Sequence, residues 1–167
     1  MISSVDTNAQ GFSAIGGYWE AKIQVPAVSG KWPAFWLFDL DSTQRANRTT
    51  NMVEIDVFEG YGSSPTGDNQ LVHLWSPTGQ ELNTGPHNTY QLGGWNGMSS
   101  WHVYGCLVNK DLIHFFVDGV DVFQTPAPAE IATHPLYVMV DAALQYGLPA
   151  TTTQPMIVNY VFHWHAP

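Results

Sequence analysis

The sequence predicts an all-β sandwich or barrel, folded as one domain over residues 1–167. Three observations carry that expectation. Short runs rich in Val, Ile, Phe, Tyr and Trp recur along the chain, separated by Gly, Pro, Asn and Asp. No long segment shows the hydrophobic period of a helix. The pair Asp118-Gly119 stands between two such runs, the strongest short hairpin signal a sequence carries.

In chain order, strands are expected at Gly17–Val25 (GYWEAKIQV), Ala34–Asp39 (AFWLFD), Met52–Glu59 (MVEIDVFE) and Gln70–Trp75 (QLVHLW). Further strands follow at Ser100–Val108, Ile113–Val117, Asp121–Phe123, Pro135–Leu144 and Met156–Trp164. The intervening Asp39–Asn51, Ser63–Asn69, Thr78–Met98 and Gly147–Pro155 are dense in turn formers and read as loops. Two of these are long, and long loops on a β scaffold often carry binding residues. Strands at this spacing point to a two-sheet sandwich or a barrel.

Composition narrows the function. A net charge of −9 with five Lys and Arg argues against nucleic acid and anionic membrane as partners. No apolar stretch approaches membrane-spanning length, and Met1–Thr7 has no apolar run of a targeting signal. The single cysteine, Cys106, reads as a small buried apolar residue rather than a nucleophile. Seven Trp in a chain with few charges suit a sugar-binding cleft, because aromatic faces stack on the apolar faces of sugar rings. The alternative is that most of them fill a core.

The stretch V-E-I-D-V-F-E-G at Val53–Gly60 poses a register problem. Side chains on a strand alternate faces. Glu54 and Asp56 therefore share a face, whereas Glu59 falls with Ile55 and Val57 on the core side. An unpaired carboxylate there costs several kcal/mol or is forced to protonate. A β-bulge at Val57-Phe58 resolves the conflict by inserting one residue, so that Glu59 rejoins Glu54 and Asp56. The remaining span is about four strand steps, roughly 13 Å at about 3.3 Å each. Two glutamates leaning toward each other then bring their carboxyl groups to about 5 Å. That is the spacing of a retaining glycosidase, while upright side chains would stand in the wider inverting range of about 6.5–9.5 Å. Three carboxylates this close must split their pKa values, one glutamate anionic and the other holding a proton, with Asp56 orienting and tuning the anion.

E-I-D-V-F-E resembles the signature of glycoside hydrolase family 16 in the version with one extra residue before the last Glu. G-G-Y-W-E-A-K-I-Q-V-P with K-W-P-A-F-W-L-F upstream resembles further blocks of that family. So do W-H-V-Y-G-C-L-V-N-K-D-L-I-H-F-F-V-D-G, P-L-Y-V-M-V-D-A-A-L-Q-Y-G-L-P and M-I-V-N-Y-V downstream. The blocks keep their order across nearly the whole chain, and the pattern is most similar to bacterial members that cleave exopolysaccharides and β-glucans. The resemblance implies a jelly-roll β-sandwich with a cleft on its concave sheet, hydrolysing a β-linked polysaccharide with retention, outside the cytoplasm. By motif position Glu54 would be the nucleophile, Asp56 its helper and Glu59 the general acid/base. Trp32, Trp36, His73, Trp75, Trp101 and Gln145 would be substrate-binding residues.

Several positions depart from the family pattern. Family domains usually place one or more strands before the position of Ser3–Thr7, so the resemblance implies a sandwich short at that edge. A structural calcium that many members carry uses that early region and the last strand. Here Asn159 stands where Asp is common, so no cofactor is expected to be required. R-T-T-N-M-V precedes Glu54 where laminarin-cleaving members often have a Trp, and Leu148 replaces a frequent aromatic. Other readings are a row of solvated acids on an edge strand, a carbohydrate-binding domain without catalysis, or a transglycosylase. His73 reads equally as a structural histidine. His163 and His165 share a face at metal-pair spacing, but with no third ligand they read as an exposed strand end. Asn47-Arg48-Thr49 fits a glycosylation sequon.

Overall fold

The computed structural model describes residues 1–25, 28–43, 48–93, 97–145 and 154–165. Twelve strands are found among them. They are β1 (Ile2–Ser3), β2 (Gly17–Gln24), β3 (Lys31–Asp39), β4 (Met52–Tyr61), β5 (Ser64–Trp75) and β6 (Glu81–Thr84). The rest are β7 (Asn88–Gln91), β8 (His102–Val108), β9 (Leu112–Val117), β10 (Val120–Pro126), β11 (Leu136–Leu144) and β12 (Ile157–Trp164). One sheet runs β1-β11-β3-β4-β5-β6, with β7 beside the first half of β5, and the other runs β10-β9-β8-β2-β12. Every pairing is antiparallel, and the fold is a jelly-roll β-sandwich.

Alternation builds the interior. In β2, Trp19, Ala21 and Ile23 are fully buried while Tyr18, Glu20 and Lys22 face outward. Phe35 and Leu37 of β3, Val53 and Ile55 of β4, Tyr104 and Cys106 of β8, and Ile113 and Phe115 of β9 close the core from both sheets. Burying each large apolar side chain is worth about 1.5–3 kcal/mol, so this interior, not the loops, carries the stability. Cys106 is fully buried, and burial pushes its thiol pKa up, away from reactivity. The Asp118-Gly119 hairpin forms as expected. Both residues have positive φ, 51° and 80°, as a two-residue turn of matching twist requires.

All nine expected strands are present, and the differences lie in the segments expected to be loops. Ser63–Asn69 is not a loop: β5 begins at Ser64, and Asp68 and Asn69 pair with Gly60 and Glu59 on one side and with β7 on the other. Its turn-forming residues are held extended by two neighbouring strands, which override local preference. Within Thr78–Met98 lie β6 and β7, two short strands on β5. The Asp39–Asn51 segment contains a 3₁₀ turn at Leu40–Thr43. Asn47 and Leu148 lie outside the described residues.

A candidate active site on the outer face of β4

The bulge forms where the register demands it. Asp56 pairs with Trp36 of β3 and Phe58 with Phe35, so Val57 has no partner of its own. On the β5 side, Asp56 faces Leu71 and Glu59 faces Asn69, leaving Gln70 opposite both Val57 and Phe58. Both bulge residues are buried in the core. Glu59 therefore turns to the face of Glu54 and Asp56, away from the sandwich interior. Asn69 fixes this corner. Its Nδ2 donates to the Glu59 carbonyl at 2.9 Å, while its Oδ1 accepts from Thr89 Oγ1 at 2.8 Å and meets His87 Nε2 at 3.1 Å.

Each acid has its own setting. Trp75 Nε1 donates to Glu54 Oε2 at 3.0 Å. Glu59 accepts from Trp32 Nε1 at 2.7 Å and from the Tyr61 hydroxyl at 3.0 Å, and the Trp32 and Tyr61 rings stack. Asp56, almost fully buried, faces His73 Nε2 at 3.2 Å. The other ring nitrogen, Nδ1, meets Glu81 Oε1 at 2.6 Å, and the His73 ring stacks on Trp75. Trp36 lies directly across from Asp56 and packs against Phe38, beside an apolar floor of Val5, Tyr137 and Met139.

The electrostatics follow from this packing. Burial, and then the Asp56 charge, push Glu54 up to about 7, against the opposing pull of His73 and the Trp75 N–H. The same two causes raise Glu59, against the N–H of Trp32 and the O–H of Tyr61. The Glu59 charge adds a smaller upward push on Glu54. Hydrogen bonding to Asp56 is the main reason His73 is raised to about 9; burial opposes it and Glu81 assists. Asp141 of β11, across Ala34 from Glu59, is also raised by burial. The Trp36 N–H closes no ordinary hydrogen bond but lies near enough to this carboxyl to oppose the rise.

Among the expected binding residues, Trp32, Trp36, His73 and Trp75 join the acid row. Gln145 lies beyond β11, where its Oε1 accepts from Ser63 Oγ at 3.2 Å at the Glu59 end of the face. Trp101 belongs elsewhere and is a correction. It precedes β8 in the other sheet and lies over Lys22 Nζ, 5.8 Å from its ring centre, on the outward side of β2. A tryptophan in sequence does not declare its sheet. Tyr61, Asn69, Glu81 and Asp141 were missed by sequence reasoning. The alternation that returns Glu59 to the acid face also places Tyr61, two residues on, beside it, a signal the sequence held.

Among the described residues, two sets of three side chains bring one ligand atom each within 4.8 Å: Asp39, Asp41 and His134, and Glu54, Asp56 and His73. In both, the histidine is already bonded to a carboxylate, His134 to Asp39 at 2.5 Å and His73 to Glu81 at 2.6 Å. Asn159 is exposed and neutral, and the early Asp6 turns its carboxylate onto the N–H groups of Asn8 and Gln10. His163 is occupied as well, with Nε2 on the Gly16 carbonyl at 3.1 Å and its ring against Trp19.

A β-sandwich presenting a carboxylate row flanked by indole donors and open aromatic rings is the architecture of a carbohydrate-active protein. The chain belongs to glycosyl hydrolases family 16, whose sequence profile matches residues 3–162. It is 27% identical over 142 residues to the endo-1,3-1,4-beta-glycanase EglC of Rhizobium meliloti (strain 1021), covering 85% of this chain and 28% of that protein. It is 32% identical over 117 residues to the kappa-carrageenase of Pseudoalteromonas carrageenovora, covering 62% of this chain and 28% of that one. This chain thus spans under a third of the length of these relatives. Among solved structures, the laminarinase catalytic domain of Thermotoga maritima MSB8 superposes with a TM-score of 0.76 at 21% identity. That match covers 95% of this chain and 67% of the other. Porphyranase B of Zobellia galactanivorans gives 0.74 at 23%, covering 92% and 64%.

Proposed function

We propose that this chain is the catalytic core of a retaining endo-β-glycanase acting on a β-linked polysaccharide. The observation that carries the reading is the bulge at Val57-Phe58, which aligns Glu59 with Glu54 and Asp56 among Trp32, Trp36 and Trp75. Nothing in the packing of a β-sandwich asks for three acids on one strand face, whereas glycosyl transfer asks for a proton donor and an anion together.

Glu59 holds the proton and gives it to the glycosidic oxygen as the bond to the anomeric carbon breaks. The Glu54 carboxylate attacks that carbon and forms a glycosyl ester. Glu59, now a carboxylate, takes a proton from water, and the hydroxide oxygen displaces Glu54 and frees the sugar. Asp56 stands between them with Oδ2 3.2 Å from His73 Nε2, so positive charge developing at the sugar ring meets a carboxylate nearby. The raised pKa of both glutamates suits a row in which one carboxyl keeps a proton.

The proposed substrate is a β-1,3- or mixed-linkage glucan or a bacterial exopolysaccharide; the relatives named as endo-1,3-1,4-beta-glycanases support the glucan. A polymer of that size is met outside the cytoplasm, in the periplasm or medium. The test is Glu54→Gln, assayed by reducing-end release across laminarin, mixed-linkage glucan, carrageenan and succinoglycan-type polymers. Hydrolysis is lost while retention on affinity gels is kept; full activity in the variant sinks the assignment. Shortening of no polymer by the wild type, with binding kept, identifies a binding domain instead, and longer products by mass spectrometry identify a transglycosylase.

A further inference from the structure

We propose that Glu81, on the edge strand β6, is a positioning residue of the acid row: through Nδ1 it holds the His73 ring as an imidazolium that pins the Asp56 carboxylate between Glu54 and Glu59. The inference rests on the reading of that row as catalytic and adds a residue that touches neither substrate nor the reacting atoms.

The first support is a second bulge. β6 pairs Thr84 with His73, Asn83 with Leu74, and then Glu81 with Trp75, so Leu82 is an extra residue. Directly opposed residues share a face. In a regular ladder Leu82 would lie opposite Trp75 on the acid face, and Glu81 would point to the other side. The bulge exchanges them. Leu82 remains half exposed, so the irregularity does not serve to bury it. All four residues of β6 are exposed, and packing supplies no other reason for Glu81 to face inward. The same device that turns Glu59 onto the row therefore turns Glu81 beneath it.

The second support is the chemistry of the ring. Both nitrogens of His73 face carboxylate oxygens, Asp56 Oδ2 at 3.2 Å and Glu81 Oε1 at 2.6 Å. A carboxylate only accepts, so Nδ1 donates to Glu81, while Nε2 stands at ion-pair distance from Asp56, a setting that favours a proton on each nitrogen. The Thr84 hydroxyl donates to the same Glu81 oxygen, and Trp75 stacks on the ring. Hydrogen bonds thus link Thr84, Glu81 and His73, and an ion-pair contact from the ring ends at Asp56, the middle acid of the row. The charged groups around the ring are Glu54, Asp56 and Glu59 from β4 and Glu81 from β6, all acids, and all favour the cation. Without Glu81 the ring retains a single anchor at Nε2, is free to rotate, and gives up its Nδ1 proton more easily.

The experiment is ring-nitrogen NMR of histidine-labelled protein, wild type against Glu81→Gln and Glu81→Asp, alongside kcat and KM over pH. In the wild type both ring nitrogens of His73 stay protonated through neutral pH. In Glu81→Gln the midpoint falls about tenfold in proton affinity, and kcat drops more than KM rises. Glu81→Asp recovers part of both. An unmoved His73 midpoint in a variant that melts at the wild-type temperature overturns the proposal, whatever the activity. A moved midpoint with no hydrolysis by the wild type overturns the catalytic reading and leaves the hold of Glu81 on His73 supported.

Discussion

Replacing Trp75 by Phe removes one hydrogen bond and keeps an aromatic face, so it isolates what the indole N–H does for Glu54. That N–H donates to Glu54 Oε2 at 3.0 Å, and it opposes the burial and the Asp56 charge that push this carboxyl up to about 7. A hydrogen bond to a charged group is worth about 1.5–3 kcal/mol, and partial solvent access at this partly buried position argues for the lower end. At about 1.4 kcal/mol per tenfold change, losing it raises the Glu54 midpoint by about one pH unit. The carboxylate form is present above the midpoint and lost as pH falls through it. The variant therefore loses about tenfold in kcat/KM near pH 6 and little above pH 8 if Glu54 is the nucleophile. The Glu54 carboxyl carbon, followed by NMR between pH 5 and 9, gives the midpoint directly, and reducing-end kinetics give the acid limb. A midpoint that stays at about 7, or falls, refutes the account of this environment. A raised midpoint with an unchanged acid limb refutes the nucleophile role alone.

Three further outcomes follow from the geometry. Asp68 is fully buried with neither carboxylate oxygen closing an ordinary hydrogen bond, and burial, opposed by the nearby Gln70 side chain and Glu59 backbone, raises its pKa well above the ordinary range. Between the ordinary and the raised value the folded state keeps a proton the unfolded chain has lost, so this group lowers stability as pH rises across that window. Asp68→Asn is expected to melt about 3–6 °C higher at pH 7, corresponding to about 1–2 kcal/mol, and to show no gain near pH 4; a loss at pH 7 contradicts it. Phe58→Ala removes the bulge residue that anchors the turn from the core side, and should cost about 3–5 kcal/mol in urea unfolding. Trp32→Ala should raise KM and disturb Glu59, whereas Trp101→Ala, on the other sheet, should leave kcat and KM for the same polymer unchanged.

What was legible in the sequence has a common cause: a conflict or a pattern that local rules suffice to read. Glu59 stood where a regular strand would bury an unpaired carboxylate, and a bulge removes that conflict, so the shared face of the three acids was readable before any coordinate. Strands such as Gly17–Gln24 announce themselves by alternation, because one face is buried and the other is not. The first half of β5 was not legible. Asp68 and Gln70 are turn-favouring or polar residues buried by tertiary pairing, and the bond from Asn88 to Gln70 at 2.6 Å is invisible to a local reading. Strand β6 is exposed throughout and carries no hydrophobic pattern, so Glu81 was lost inside a segment that reads as loop. Trp101 was misplaced for a related reason, since periodicity tells which residues share a strand face but not which sheet that strand joins.

The most direct test of the central claim is the configuration of the sugar at the moment of release, read by proton NMR of the anomeric signals in the first minutes of digestion. A bulge that brings Glu54 and Glu59 to attack and protonate within one short row predicts that the first-formed product keeps the β-configuration of the bond that was cut. First-formed product in the α-configuration would require the two carboxyls to stand far enough apart to admit a water between them, and would contradict the account.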